Sequence, residues 1–116
     1  MTDNIVTLSL SSIDDINARV LAAVATGKPQ RPCISFASIE LMWRILSPKR
    51  TEILRVMTGQ GPLSIREVAR RVGRDVKAVH GDVHALLNAG IIDRAGRGVI
   101  FPYDGVHVDF AWGLAA

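Results

Sequence analysis

The sequence predicts an α+β fold, mainly α, with a helix-turn-helix at its centre, a β-hairpin after it, and a strand at either end. Three observations predict this. From Leu63 to Gly90 the run LSIREVARRVGRDVKAVHGDVHALLNAG spaces its apolar residues as two helices joined by a tight turn. Ser47-Pro48 opens another helix just upstream, and two apolar segments linked by a glycine- and arginine-bearing loop follow just downstream. Near the termini, IVTLSL and VHVDF are rich in β-formers and alternate in the manner of strands.

Composition sets the bounds. A chain of 116 residues that is 48% hydrophobic can bury a real core. Its apolar runs are too short for a transmembrane helix, and MTDN lacks the basic and apolar regions of a signal peptide, so a cytoplasmic protein with no membrane partner is expected. One cysteine, Cys33, excludes an internal disulfide framework, and its neighbours Pro32 and Ile34 suggest a buried structural thiol. The net charge of +3 lies wholly in the C-terminal half: residues 1–47 carry four basic and four acidic side chains, and the rest ten against seven. Arg66, Arg70, Arg71, Arg74, Lys77, Arg94 and Arg97 fall in or just after the central run, a distribution that suits a nucleic-acid partner.

Taken in order, Ile5 to Leu10 reads as a short strand. Ser11 or Ser12 then caps a helix with Asp14 and Asp15 in its first turn, an apolar face at Ile13, Ile16, Val20 and Val24, and a stop at Gly27. After the loop GKPQRP, Cys33 to Phe36 can form a second strand. Ser38 opens a short helix to about Leu46, with Leu41, Met42, Ile45 and Leu46 as its apolar positions and Trp43 in the core or at a subunit contact. Residues 1–46 thus form an N-terminal β-α-β extension, for which dimerisation or partner contact is the preferred use.

Residues 47–116 form the second segment. Serine at the N-cap and proline at the first helical position start a helix that runs to about Thr58 and buries Ile53, Leu54 and Met57. Ser64-Ile-Arg-Glu67 is a capping box leading a helix whose buried face is Ile65, Val68, Ala69 and Val72. Gly73 makes the turn and Asp75 caps the next helix, from about Val76 to Asn88, with Val79, Val83, Leu86 and Leu87 inward. Gly90 closes it, and Ile91-Ile92 are expected to begin a strand.

That assignment leaves Arg74, Lys77, Ala78, His80, Gly81 and His84 outward. A recognition helix needs this kind of face, with long donors for phosphates and base edges and small residues where the helix nears the groove floor. Gly81 inside a helix costs about 1 kcal/mol against alanine, which close approach to a surface or to another helix would justify. Asp82 would repel phosphates, so it is expected at the flank or paired with an arginine. The loop from Asp93 to Gly98, followed by Val99-Ile-Phe101, makes a hairpin placed like a wing, with Arg94 and Arg97 at its tip for the DNA backbone or minor groove. Ser64 and Arg66, at the start of the preceding helix, complete the expected DNA-binding set. After the turn PYDG, Val106, Val108 and Phe110 make a strand that either extends the sheet of the wing or pairs with the N-terminal strand. Ala111 to Ala116 is an apolar tail whose Trp112 is expected to dock in a dimer interface or on a partner.

Residues 47–101 resemble the winged helix-turn-helix of MarR-like and ArsR-like bacterial regulators. The resemblance is carried by SPKRTEILRVM, by LSIREVARRVGRDVKAVHGDVHALLNAGII and by the hairpin DRAGRGVIF. More narrowly, SIREVARRVGRDVKAVHGDVHALLNAGII and VIFPYDGVHVDF look like a group of small prokaryotic regulators that includes antitoxins. The resemblance implies a winged helix-turn-helix, to which the residues themselves add the N-terminal β-α-β extension and the C-terminal strand. It also implies a homodimer that binds double-stranded DNA near a promoter.

An enzyme is not expected: there is no Gly-rich phosphate loop, no nucleophile elbow and no Cys–His pair at useful spacing. No cofactor is expected either. His80 and His84 stand four apart, a spacing that can hold a metal, with His107, Asp82 or Asp109 as further candidates. Histidines facing DNA are the preferred reading, with no metal site. The rival from another class is the antitoxin of a toxin–antitoxin pair, covering a cognate toxin with its N- or C-terminal segment while the winged helix represses the operon.

Overall fold

The computed structural model describes residues 4–10, 21, 24 and 32–109, and among them nine elements have defined bounds. They are β1 (Ile5–Leu10), β2 (Cys33–Phe36), α1 (Ile39–Ile45), α2 (Pro48–Met57), α3 (Ile65–Val72), α4 (Val76–Asn88), β3 (Asp93–Ala95), β4 (Gly98–Ile100) and β5 (Gly105–Asp109). The fold is α+β, with four helices and two small sheets among the described residues. Most of the helix expected after Ser12, and the tail from Phe110 with Trp112, lie outside the described residues; Leu21 and Val24 are helical and exposed.

Local chemistry sets each helix start. The Ser38 hydroxyl accepts the Leu41 amide at 3.1 Å, Ser47 the Arg50 amide at 3.3 Å and Ser64 the Glu67 amide at 3.0 Å. Pro48 sits in the first turn of α2, where its missing N–H leaves no orphan donor. The expected capping box forms only by half. Glu67 turns its carboxylate to Arg70 and Arg71 rather than back to the cap.

The helix ends are equally local. Gly73, at φ 68°, closes α3, with the Arg74 amide on the Ala69 carbonyl at 3.1 Å. Gly90, at φ 77°, closes α4: its own amide reaches Leu87 O at 3.0 Å and the Ile91 amide reaches Leu86 O at 3.1 Å. This Schellman arrangement corrects the expectation that Ile91-Ile92 begin a strand. Ile91 completes the helix cap and packs with Leu86, both fully buried, so β3 starts only at Asp93.

Helices α2, α3 and α4 bury Ile53, Leu54, Met57, Val68, Ala69, Val79, Val83 and Leu86 in one cluster with Ile91, Ile92, Val99 and Phe101. Each large aliphatic side chain so removed from water contributes about 1.5–3 kcal/mol. Val6, Leu8, Phe36 and Met42 belong to the same cluster.

Of the two placements open to the last strand, the structure shows pairing with β1. Strand β1 lies between β2 and β5, and both neighbours run parallel to it. The register sets Thr7 against Cys33 on one side, and Ile5 and Leu8 against Gly105 and Val108 on the other. Asn4 Nδ2 donates to Pro102 O at 2.7 Å, and the Asp104 amide donates to Asn4 O at 2.8 Å, fixing the approach of β5.

Two expectations about side chains are corrected. Cys33 is exposed rather than buried, because it opens an edge strand whose burial grows only toward Phe36; its Sγ lies 3.5 Å from Ser9 Oγ. On α1, Met42 is buried whereas Leu41, expected among its apolar positions, faces outward; of the two places left open for Trp43 the core is excluded, since it is half exposed.

Candidate nucleic-acid interface

α4 presents one face to the core through Val79, Val83 and Leu86, and this decides what is left outside. Val76, Lys77, Ala78, His80 and Gly81 are exposed, and His84 is partly so. A Cβ built on Gly81 meets nothing within 4 Å. Among the described residues no helix approaches Gly81, and no packing there requires its lack of a side chain.

Asp82 is neutralised from two directions. Its Oδ1 accepts from Arg50 Nε at 3.0 Å and its Oδ2 from Arg74 Nη1 at 2.8 Å, with side-chain exposures of 17% for Asp82, 21% for Arg50 and 20% for Arg74. Burial alone would raise the Asp82 carboxyl. The hydrogen bonds from Arg74 and Arg50, with their charges, outweigh it and hold the group below its ordinary value. Arg50 also donates through Nη1 to Arg44 O at 3.0 Å, so a single guanidinium ties the end of α1 to α4. The acid on α4 is held, as expected, by arginine.

The same geometry redistributes the cations. Arg74 is committed to Asp82. Arg70 and Arg71 both bind Glu67, Arg71 through Nε at 2.7 Å, while Arg71 Nη1 reaches Gln60 Oε1 at 2.9 Å. The Arg70 hydrogen bonds first, and that of Arg71 next, lower the Glu67 carboxyl to about 2. Arg66, Lys77, Arg94 and Arg97 are exposed and have no ion-pair partner among the described residues. Of the seven cations named in and just after the central run, these four carry charge that no carboxylate among the described residues offsets.

The hairpin is narrower than expected. Only Gly96 and Arg97 form its turn, with Gly96 at φ 58° in the first central position, where a two-residue hairpin turn favours glycine. Arg97 is at the tip. Arg94 is not: it lies in β3 opposite Val99, because Asp93–Ala95 pair with β4 instead of forming a loop. Ser64 and Arg97 line one recess between the hairpin turn and the start of α3, although the Ser64 hydroxyl is already engaged in capping.

His80 and His84 approach through their Nε2 atoms at 3.1 Å, with ring centroids 4.2 Å apart. One ring donates and the other accepts, leaving each Nδ1 for another contact. Among the described residues no three of His, Cys, Asp and Glu gather for a metal, and His107 sits on β5 opposite Thr7. Two residues escaped the sequence reading. Val76 is an exposed apolar residue in the first turn of α4, recognisable only by its being off the 79/83/86 stripe. Gly98 is the other, and only a contact distance reveals it: a Cβ there would fall 2.3 Å from Leu63 O.

A family model, HVO_A0114, matches residues 45–108, from the end of α1 through the helix-turn-helix and the hairpin into β5. The HTH-type transcriptional regulator NmtR of Mycobacterium tuberculosis is similar to the chain at 29% identity over 86 residues, spanning 70% of this chain and 71% of that regulator.

Proposed function

The chain belongs to the HVO_A0114 family, and from that premise we propose that it is a transcriptional regulator that binds double-stranded DNA as a homodimer through a MarR- or ArsR-like winged helix. α4 enters the major groove, and the hairpin at residues 93–98 lies on the backbone or in the minor groove. Two copies place their α4 helices in successive major grooves about 34 Å apart. The DNA-contacting segment is 47–101, and the N-terminal segment supplies partner contacts.

One observation carries this reading. The outer face of α4 offers small residues, the Lys77 ammonium and the His80–His84 pair, and its acid is already neutralised from within the fold by Arg50 and Arg74. The side chain missing at Gly81 faces open space. In isolation such a helix carries a stability cost with no return; against a groove floor the cost has a use. Similarity to a regulator named as HTH-type supports the same conclusion.

The test is binding to duplex DNA selected from a random pool, followed by titration with salt. Each phosphate contact contributes about 0.9 to the slope of log K against log salt. Lys77→Ala should weaken binding to every sequence and flatten that slope by about one unit. Absence of any retarded fragment at low salt overturns the proposal.

Exposed apolar side chains outside the helix-turn-helix favour a protein partner as well. Leu41 and Trp43 on α1 and Val106 and Val108 on β5 are all more than a third exposed, with Trp43 at 50%. A second copy of the chain is the partner we assign to them. In the antitoxin reading a cognate toxin takes that place, and a chain that sediments as a monomer until a toxin is added would favour it. Among the described residues no helix is long and apolar enough to cross a membrane.

A further inference from the structure

We propose that Gly98 is a positioning residue for the wing: its missing side chain lets the hairpin seat directly on the backbone leading into α3, so that Arg97 and the first turn of α3 meet DNA as one rigid edge. The inference rests on the DNA-binding reading and assigns a role that reading does not require.

Space, not conformation, is what Gly98 provides. Gly59, Gly61, Gly73, Gly90 and Gly96 all have positive φ, and a Cβ on any of them meets nothing within 4 Å. Gly98 is the reverse: its φ lies outside the left-handed region, yet a Cβ would stand 2.3 Å from Leu63 O, 2.7 Å from Leu63 C and 3.1 Å from Ser64 N. All three are backbone atoms, so no side-chain rotation relieves the clash. The next residue shows what the close approach achieves. The Leu63 amide donates to Val99 O and the Val99 amide donates to Leu63 O, each at 2.8 Å. Leu63 thus acts as a third strand on a hairpin whose own strands are only three residues long. A two-stranded hairpin of that size is marginal in water by itself.

The seam fixes what stands on either side of it. Arg97 precedes Gly98 in the turn, Ser64 follows Leu63 as the cap of α3, and both line the same recess of ≈ 340 Å³. Arg97 and Arg66 are exposed cations without an ion-pair partner among the described residues. Held by the seam, Arg97 loses no freedom of hairpin orientation on binding; released, it must be ordered at the moment of contact.

A double-mutant cycle between Gly98→Ala and Arg97→Ala tests this, read by fluorescence anisotropy on a labelled duplex that the chain itself selects from a random pool. Arg97→Ala should flatten the salt dependence by about one unit. Gly98→Ala should give a similar flattening although Arg97 is still present. Added to Arg97→Ala, it should change Kd by less than about twofold, because the group it positions is gone. Gly59→Ala, which strains a loop in open space, serves as the control for lost stability and should bind as the wild type does.

Wild-type binding by Gly98→Ala, or losses that multiply in the double variant, would overturn the inference while leaving DNA binding intact. A wild-type chain that binds no duplex overturns both. Should Gly98→Ala not fold, hydrogen exchange in the unaltered chain decides: the Leu63 and Val99 amides should exchange together and slow by a common factor when DNA is added. Exchange of one independently of the other overturns the seam.

Discussion

Replacing Gly81 by alanine should move stability and DNA affinity in opposite directions. Gly81 lies mid-helix in α4 with its Cβ position facing open space, so the substitution adds neither a clash nor a packing contact with any described residue. What remains is helix propensity, worth about 0.8–1.0 kcal/mol in favour of alanine. In a domain of this size that raises the melting temperature by roughly 3–6 °C. If α4 lies against a groove floor at Gly81, the same methyl group overfills a close contact, at a cost of about 1–3 kcal/mol, or roughly 5- to 150-fold in Kd. Thermal melting followed by circular dichroism gives the first quantity and titration of a selected duplex the second. Unchanged or tighter binding by the stabilised variant would refute the placement of this face against DNA. No rise in melting temperature would refute the claim that the glycine's cost goes uncompensated within the fold.

The remaining predictions concern charge, readout and assembly. Asp82→Asn should destabilise the fold by about 1–3 kcal/mol, since it weakens two charged hydrogen bonds at a largely buried site; chemical denaturation measures it. It should also strengthen non-specific DNA binding and steepen its salt dependence, because Arg50 and Arg74 are freed. Because the folded Asp82 carboxyl titrates below its ordinary 3.8, its contribution is present above that value and lost as pH falls through the lower one. The variant should therefore show a shallower loss of stability on acidification below about pH 4. Glu67, held at about 2, titrates in the same direction between 4.5 and 2, but its exposure limits what it adds. His80→Gln or His84→Gln should alter which sequence is selected while leaving the salt slope unchanged, as a base contact would and a phosphate contact would not. Trp43→Ala should shift a dimer toward monomer in sedimentation with little change in melting temperature; a monomeric wild type, or a dimer unaffected by the change, would remove α1 from the interface.

Features governed by neighbouring residues were legible in the chain. The serine caps at Ser38, Ser47 and Ser64, the Asp75 cap and the glycine stops at Gly73 and Gly90 all act within about a turn of helix, and the buried stripe Val79–Val83–Leu86 follows from periodicity alone. Asp82 was readable for a related reason, since an acid on a cationic face must be paired. Features decided across the fold were not. The alternation of Val106 and Val108 suits a strand equally well beside the hairpin or beside β1, and the choice rests on backbone groups a hundred residues away. Ile91 and Ile92 have strand-like side chains, but a cap hydrogen bond set by Gly90 claims the first of them. Whether an arginine is free or spent depends on what lies across from it. Arg70, Arg71 and Arg74 look no different in sequence from Arg66 and Arg97, yet the first three are bound to carboxylates.

The parallel pairing of Ile5 with Gly105 also bears on how the chain comes to be folded. During synthesis β1 is made a hundred residues ahead of β5, and it lacks that neighbour until the later segment has followed. The helix-turn-helix and its hairpin depend on contacts that close within residues 47–101, and loop closure over such spans is fast. The order of assembly is therefore helices and hairpin first, and sheet last. A chain interrupted shortly after Phe101 would carry the folded helices and hairpin on a molecule in which β1 still has an open edge, the kind of edge that invites pairing with another chain.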